Sequence, residues 1–321
     1  MGEMDLRQIS FRLLEVFMSV VKSGSISETA RRLHLTQPTV SLQIKRLQET
    51  VAEPLFYTYQ QRLHPTDAGM RLFQTCQQVF GHFEDYQGYL DELRGGERGH
   101  CRIAMVNTAQ YILPKLYGPF SATHPNVEMH VEVGNRAHVL SRFERGEDDL
   151  YVFSHPPTLE HAQAARFLKN PLVFIAPKGH PLSQSSGLNL ADVVKYRFLL
   201  RESGSATRML FESELQSRGL VLSNSVKMAS NEAIREAVSA GMGVAVLSEH
   251  VLGQDQSNIV KLDVSDTHLA SHWYFVVRTD RHISHSAKSF LRFATSHLER
   301  YLDSPWTENE LHRLNVTEQQ P

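Results

Sequence analysis

The sequence predicts an α plus α/β protein: a small helical head, one long helix, and a body of alternating strands and helices. Three observations carry this. Residues 11–48 set apolar side chains at helical spacing on both sides of a tight turn. Residues 72–93 repeat apolar positions every three and four residues. After Gly99, short apolar runs alternate with helical segments. At 321 residues the chain has room for two or three domains. No apolar run approaches the roughly 18–20 residues of a membrane span, so no membrane partner is expected. The first residues, MGEMDLRQISFRLLEVF, mix charges into their apolar positions and do not read as a signal peptide. Only Cys76 and Cys101 occur, without CxxC or metal spacing, which suits a reducing cytoplasm and argues against structural zinc.

In the head, Leu6, Ile9, Leu13, Phe17, Val20 and Val21 form a helical stripe that Gly24 ends. Ser27 and Glu28 then open a second helix, with Ala30 and Leu33 inward. Thr36 caps a third helix, and Pro38 sits in its first turn, where a missing N–H costs nothing. Three short helices with a tight link between the last two describe a helix-turn-helix. In the third, Val40, Ile44 and Leu47 face a core, while Gln37, Thr39, Ser41, Gln43, Lys45 and Arg46 supply amides, hydroxyls and cations, with no acid before Glu49. Such a face suits a DNA major groove: Gln37 and Gln43 toward adenine edges, Thr39 and Ser41 toward bases or phosphates, Lys45 and Arg46 toward the backbone. Arg31 and Arg32, on the preceding helix, reach phosphates across the groove. A solvated amphipathic helix in some other bundle is the plainer alternative. Charge adds a little: residues 1–66 carry eight Lys or Arg against six acids, whereas the whole chain is −2. PLFYTYQQRLHPTDAG then predicts a small hairpin, a wing anchored by Phe56 and Leu63, whose Arg62 joins Thr36 and Pro38 among the expected DNA contacts.

These stretches, ETARRLHLTQPTVSLQIKRLQ followed by PLF and LHPTDAG, resemble the N-terminal domain of LysR-type transcriptional regulators. The resemblance implies double-stranded DNA as a partner. The wing departs from the family pattern: Thr58 and Gln60 stand where an Arg and a Gly are usual, so a full set of phosphate contacts is not expected there.

From Asp67 onward, Leu72, Cys76, Val79, Phe83, Tyr86, Leu90 and Leu93 step by four and three without a break. A seam of this kind packs against another long helix, and no other segment offers one, so self-association is the simpler reading. The family resemblance implies the same: a linker helix over 67–94 that pairs with a second subunit after the winged helix-turn-helix of 1–66, commonly within a homotetramer. RGGERG (94–99) supplies a charged joint.

In the body, CRIAMVN, VEMHVEV, DLYVFS, PLVFIAP, RFLLRE, SVKMAS, GVAVLS and WYFVVR read as strands, and their alternation with helices predicts mostly parallel pairing. Ligands of open α/β sheets sit beyond the carboxyl ends of strands, at helix N-termini. Those positions are Asn107, Thr108 and Ala109; Asn135 and Arg136; Arg201, Ser203, Gly204, Ser205 and Thr207; and Asn231. The stretch RESGSATR can wrap an anion, with Arg201, Arg208 and Arg136 supplying charge. Hydroxyls at a strand-to-helix turn also serve simply as caps.

The body resembles LysR-type effector domains, which look like periplasmic binding proteins. That implies two lobes within 95–303, the first about 95–176 and 277–303, the second about 177–276. The polar stretch after Asp303, residues 304–321, reads by itself as a flexible tail. NTAQYILPKL, RESGSATR and SNEAIREAVSAGMGVAVLS are further similar to the Rubisco-operon (CbbR-type) subgroup, which implies a phosphorylated sugar or reduced nicotinamide cofactor as effector and RNA polymerase as a downstream partner. No resident cofactor or metal is expected. Two rival classes stay open: a small-molecule binder without a DNA role, and an enzyme acting on a phosphorylated metabolite. Against the enzyme, HExxH and GxSxG are absent, and His282 and His285 sit in a polar stretch with no acid beside them.

Overall fold

The computed structural model describes residues 6–93, 99–253, 258–267, 269, 271–281, 283–302 and 304–314. The joint at 94–98, the side chain of Leu93, His282, and residues 315–321 of the tail lie outside the described residues. The chain divides into two compact units, Met1–Tyr86 and Gln87–Pro321.

In the first unit, α1 (Phe11–Ser23), α2 (Ile26–Arg32) and α3 (Gln37–Val51) pack around Leu13, Val16, Phe17, Val20, Ala30, Val40, Ile44 and Leu47. Each start has its cap: the hydroxyls of Ser10, Ser25 and Thr36 accept from the N–H groups of Leu13, Glu28 and Thr39. The second helix thus begins two residues earlier than the sequence reading placed it. Leu6 lies outside α1 in a 3-10 turn and is exposed. The wing is β1 (Phe56–Tyr59) paired antiparallel with β2 (Arg62–Pro65), closed by Gln60 and Gln61, both at positive φ (47° and 59°).

The long helix α4 (Asp67–Leu93) starts with Thr66, whose hydroxyl accepts from Gly69 N–H and donates to Pro54 O. Gly69 is required here, because a Cβ would stand 2.1 Å from the carbonyl oxygen of Leu55. The seam does not run uniformly outward. Cys76 is buried and Leu72 packs against the head's own core, together with Phe73, which the heptad pattern omitted. Phe83 and Tyr86 are the exposed members. Burial pushes the Cys76 thiol up to about 12, so it stays a packed, unreactive thiol.

The second unit holds two five-stranded sheets. The first has the order β4-β3-β5-β12-β6, from β3 (Gly99–Val106), β4 (Val127–Gly134), β5 (Leu150–Phe153), β6 (Ala162–Lys169) and β12 (His272–Arg278). The second has the order β11-β7-β10-β8-β9, from β7 (Leu172–Pro177), β8 (Phe198–Arg201), β9 (Ser225–Met228), β10 (Val244–Ser248) and β11 (Ile259–Leu262). Inner strands β5, β8 and β10 are buried at every position, whereas edge strand β4 alternates, as sheet position demands. Pairing is less parallel than predicted. β3 runs parallel to β4 and β5, and β8 to β9 and β10, but β12 opposes β5 and β6, and β7 opposes β10 and β11. Strands β6 and β11 were not foreseen. Around the first sheet lie α5 (Pro114–Thr123), α6 (Arg136–Arg145) and α10 (His285–Tyr301); α7 (Leu190–Val193), α8 (Ala206–Ser217) and α9 (Asn231–Ser239) accompany the second.

The lobe crossings fall earlier than 177 and 277. All of β7 belongs to the second sheet and all of β12 to the first, so the chain crosses near Asn170 and returns before His272. A buried polar chain ties the two crossings together: Ser248 donates to Asn170 Oδ1 (2.6 Å), Asn170 Nδ2 to Ser271 Oγ (3.3 Å), and Ser271 Oγ to Ser154 O (3.0 Å). The expectation of a flexible tail from 304 is corrected over 304–314. Leu311 and Leu314 are buried in the first lobe's core, and Glu308 and Glu310 donate backbone N–H groups to Phe167 O and Arg166 O.

Candidate functional site

Two surfaces gather the residues singled out in the sequence. On α3, Gln37, Pro38, Ser41, Lys45 and Arg46 are exposed, as are Arg31 and Arg32 on α2 and Arg62 on the wing. Thr36 is exposed and Thr39 half-buried, and their hydroxyls hydrogen-bond each other (2.8 Å) while Thr36 caps the helix, so both serve the fold first. Gln43 differs from the expected outward reader: it is half-buried, and its Oε1 is enclosed with no hydrogen-bond partner among the described residues. Leu42 escaped the sequence reading. It lies 67% exposed, off the Val40–Ile44–Leu47 stripe, on the face that carries Pro38 and Lys45. That offset from the apolar stripe was the available signal. Lys45 makes only a long pair with Glu49 (3.8 Å), with both groups in solvent.

The second surface is a cleft between the two lobes, enclosing about 290 Å³ including its open mouth. From the first lobe it is lined by Val106, Asn107, Thr108, Asn135, Arg136 and Ser154, at the carboxyl ends of β3, β4 and β5. From the second come Arg201, Glu202, Ser205, Ala206 and Thr207, at the end of β8 and the start of α8. Seven of the residues named in the sequence therefore converge: Asn107, Thr108, Asn135, Arg136, Arg201, Ser205 and Thr207. Ser203 and Gly204 occupy the exposed turn before them, Ala109 is fully buried, and Asn231 stands behind the lining. Ser154 is an addition with no motif to reveal it, and Glu202, although inside RESGSATR, was not singled out.

The arginines of this cleft are in different states. Arg201, 4% exposed, is committed: Nε and Nη2 donate to Glu202 (2.8 and 2.9 Å), and Nη1 donates to Asn231 Oδ1. Arg208 is bound to Glu212 (2.7 Å) and to Arg201 O (3.1 Å). Arg136 lies 5.9 Å above the ring of Phe153, and its Nε is buried with no hydrogen-bond partner among the described residues. Burial lowers its pKa from the usual arginine value.

The helix starts differ in the same way. Asn135 caps α6 by accepting from His138 N–H (2.8 Å), and Ser230 caps α9 through Ala233 N–H (3.2 Å). Ser205 stands at the N-cap of α8, yet its side chain makes no capping bond. The first-turn N–H groups of α8 thus lack the usual hydroxyl partner, and the residues that carry them, Ala206 and Thr207, line the cleft, a position suited to an anion. Across the lobes, Asn231 Nδ2 donates to Thr108 Oγ1 (3.1 Å), and Gln110 and Tyr111 both donate to Glu232.

Comparison with known proteins decides what these surfaces belong to. The family model for the bacterial regulatory helix-turn-helix protein, lysR family, matches residues 11–70, and that for the LysR substrate binding domain matches 94–299. The chain belongs to the LysR family of transcriptional regulators. It is similar to the HTH-type transcriptional activator CmpR of Synechocystis (32% identical, 92% of this chain and 97% of that one). It is also similar to the transcriptional regulator CbbR of Rhodospirillum rubrum (35%, 88% and 94%). Among solved structures, the regulatory domain of Synechocystis CcmR in complex with 2-PG shares 32% identity and a TM-score of 0.57, covering 61% of this chain and 95% of that one. This LysR regulator is accordingly a DNA-binding protein with an effector domain, not an enzyme, and both rival classes fall away. No helix among the described residues is long and apolar enough to cross a membrane.

Proposed function

We propose that this LysR regulator answers to a small phosphorylated metabolite held between its lobes, and that it controls carbon-fixation or related genes in the cytoplasm. The carrying observation is that Arg136, whose buried Nε has no hydrogen-bond partner among the described residues, lines the same cleft as the uncapped start of α8. A phosphate there would accept from Arg136, from the first N–H groups of α8, and from the hydroxyls of Ser205 and Thr207. The 2-PG complex of CcmR and the similarity to CmpR and CbbR support a phosphorylated effector and this class of operon. Calorimetric titration of the full-length protein with 2-phosphoglycolate, small sugar phosphates and NADPH tests this. Arg136→Ala should weaken the bound phosphate about a hundredfold, near 3 kcal/mol for a lost charge-assisted pair. Unchanged affinity in that variant would remove Arg136 from the site.

On DNA, α3 enters the major groove with Gln37 and Ser41 toward base edges, Lys45, Arg46, Arg31 and Arg32 on the backbone, and Leu42 against a thymine methyl. Phe83 and Tyr86 are exposed on α4, and Phe11 meets Phe83 edge-on at 5.0 Å, leaving an aromatic patch for the α4 of a second copy. Two heads then read paired half-sites. Effector binding changes their placement to the extent that it favours one lobe arrangement over another, with RNA polymerase as the downstream partner. Anisotropy titrations across salt should show affinity falling steeply with ionic strength. Gln37→Ala should lose discrimination between sites, and Arg32→Ala should lose affinity for all sequences alike.

A further inference from the structure

We propose that His100, Glu128 and His130 form a surface site for a first-row transition-metal dication, for which Zn2+ is the natural probe. His100 opens β3, while Glu128 and His130 lie two residues apart on edge strand β4 and so share a face. The parallel register sets His100 directly beside Glu128. His100 Nδ1 stands 3.2 Å from one Glu128 carboxylate oxygen, and His130 Nε2 stands 3.3 Å from the other. One ligand atom from each of the three residues lies within 4.8 Å of the other two. Donors about 2.0–2.2 Å from a tetrahedral ion are separated by roughly 3.3 Å; each His–Glu distance has that length but ends on a different carboxylate oxygen, so Glu128 binds either through both oxygens or through one after its exposed carboxylate rotates. The His–His edge closes by rotation of exposed rings whose centroids are 5.5 Å apart. Two imidazoles with one carboxylate select zinc, cobalt or nickel over calcium or magnesium. All three side chains are exposed, so water completes the coordination sphere and little desolvation opposes binding.

Without an ion the same geometry amounts to two exposed histidine–carboxylate contacts that contribute little to stability. Arg102, the register neighbour of His130, adds positive charge that an ion must tolerate. The sequence could not show the site, because 28 and 30 residues separate His100 from its partners and no local ligand spacing exists. The cluster occupies the starts of β3 and β4, whose opposite ends lead to Asn107, Asn135 and Arg136, roughly 20 Å away at about 3.3 Å per residue. It is therefore separate from the effector cleft, and Zn2+ should bind equally well with and without 2-phosphoglycolate.

The test is Zn2+ titration of the full-length, tag-free protein by equilibrium dialysis, with Co2+ as a spectroscopic replacement. One saturable ion per chain is expected. Its affinity should fall roughly tenfold or more in the His100→Ala/His130→Ala double variant and in the near-isosteric Glu128→Gln, with loss of the visible Co2+ bands. His138→Ala removes a histidine that pairs with Glu132 (2.9 Å) on the same strand face and should change nothing. Absence of saturable binding, retention of full affinity by the double variant, or equal loss in His138→Ala would each overturn the proposal.

Discussion

On α3 of the head, the functional groups point into solvent and scarcely bond one another; in the cleft, similar groups are buried and engaged with each other. Gln37, Ser41, Lys45 and Arg46 rest on a helix whose stability comes from Val40, Ile44 and Leu47 beneath them. Arg201, Asn231 and Thr108 are instead both site and scaffold, because each completes another's hydrogen bonds. The difference teaches that recognition and stability are separable in the head and entangled in the cleft.

The largest expected effect attacks the head's scaffold without touching its reading face. In Gly69→Ala the new Cβ would meet the backbone of Leu55, which cannot rotate away. A cost of about 3 kcal/mol is expected, with DNA affinity lost in proportion to unfolding of the head. Denaturation followed on the 1–86 fragment, beside DNA binding by the full chain, checks it; a silent substitution would show that the first turn of α4 can shift.

Next in size is the opposite experiment in the cleft. Asn231→Ala removes one partner from Arg201 and one from Thr108, in a place that water reaches poorly. A loss of about 2 kcal/mol in the stability of the second unit is expected, together with weaker effector binding, since Arg201 is left under-bonded. If effector affinity fell while stability held, the cleft would be as separable as the head and the contrast would break.

A smaller effect lies in the wing. Gln60 and Gln61 both adopt left-handed backbone conformations that side chains oppose, in a two-residue hairpin that ordinarily calls for glycine. Gln61→Gly should stabilise the head by about 0.5–1 kcal/mol. A thermal melt reads this directly. No gain would mean that the glutamines recover the strain through contacts at the tip.

The two regions also differ in how far the sequence exposes them. The head is local: Val40, Ile44 and Leu47 at helical spacing, Thr36 as cap and Gly69 in its motif all lie within forty residues, so helix, turn and reading face are legible together. Leu42 was missed only because apolar residues were assigned inward by default. The cleft joins Asn107 to Thr207 and Asn135 to Arg201 across lobes, so strand ends identified the candidates but not their partners. Nothing in RESGSATR tells that Arg201 is bound by Glu202 and Asn231, or that Arg136 is the arginine whose Nε has no partner among the described residues. The heptads misled in part, since a three-and-four repeat cannot distinguish a core in the same head from one in a second copy, and Cys76 belongs to the first kind. The tail was misjudged because its polar composition hid two anchors, Leu311 and Leu314, whose pocket is made by distant strands.

The smallest expected effect concerns pH and the bonds between lobes. Burial alone would raise the Glu232 carboxyl, but hydrogen bonds from Ser230 and Tyr111 outweigh it and hold its pKa below the usual carboxylate value. Tyr111 is pushed up, first by burial and then by its bond to the same carboxylate, so it remains a donor at any physiological pH. For a carboxyl whose pKa is lowered in the bonded state, the stabilisation is complete above the ordinary carboxylate range and disappears as pH falls through the lowered value. The Gln110 and Tyr111 bonds should therefore hold the lobes from neutrality down to mildly acidic solution and release them only in stronger acid. Glu232→Gln keeps an oxygen acceptor but no charge, and should flatten this acid dependence when effector binding is measured against pH. The exposed side of Glu232 keeps the effect well below that of Asn231→Ala, because solvent screens the carboxylate there. A pH response as large in Glu232→Gln as in the unaltered chain would move the acid-sensitive contact elsewhere in the cleft.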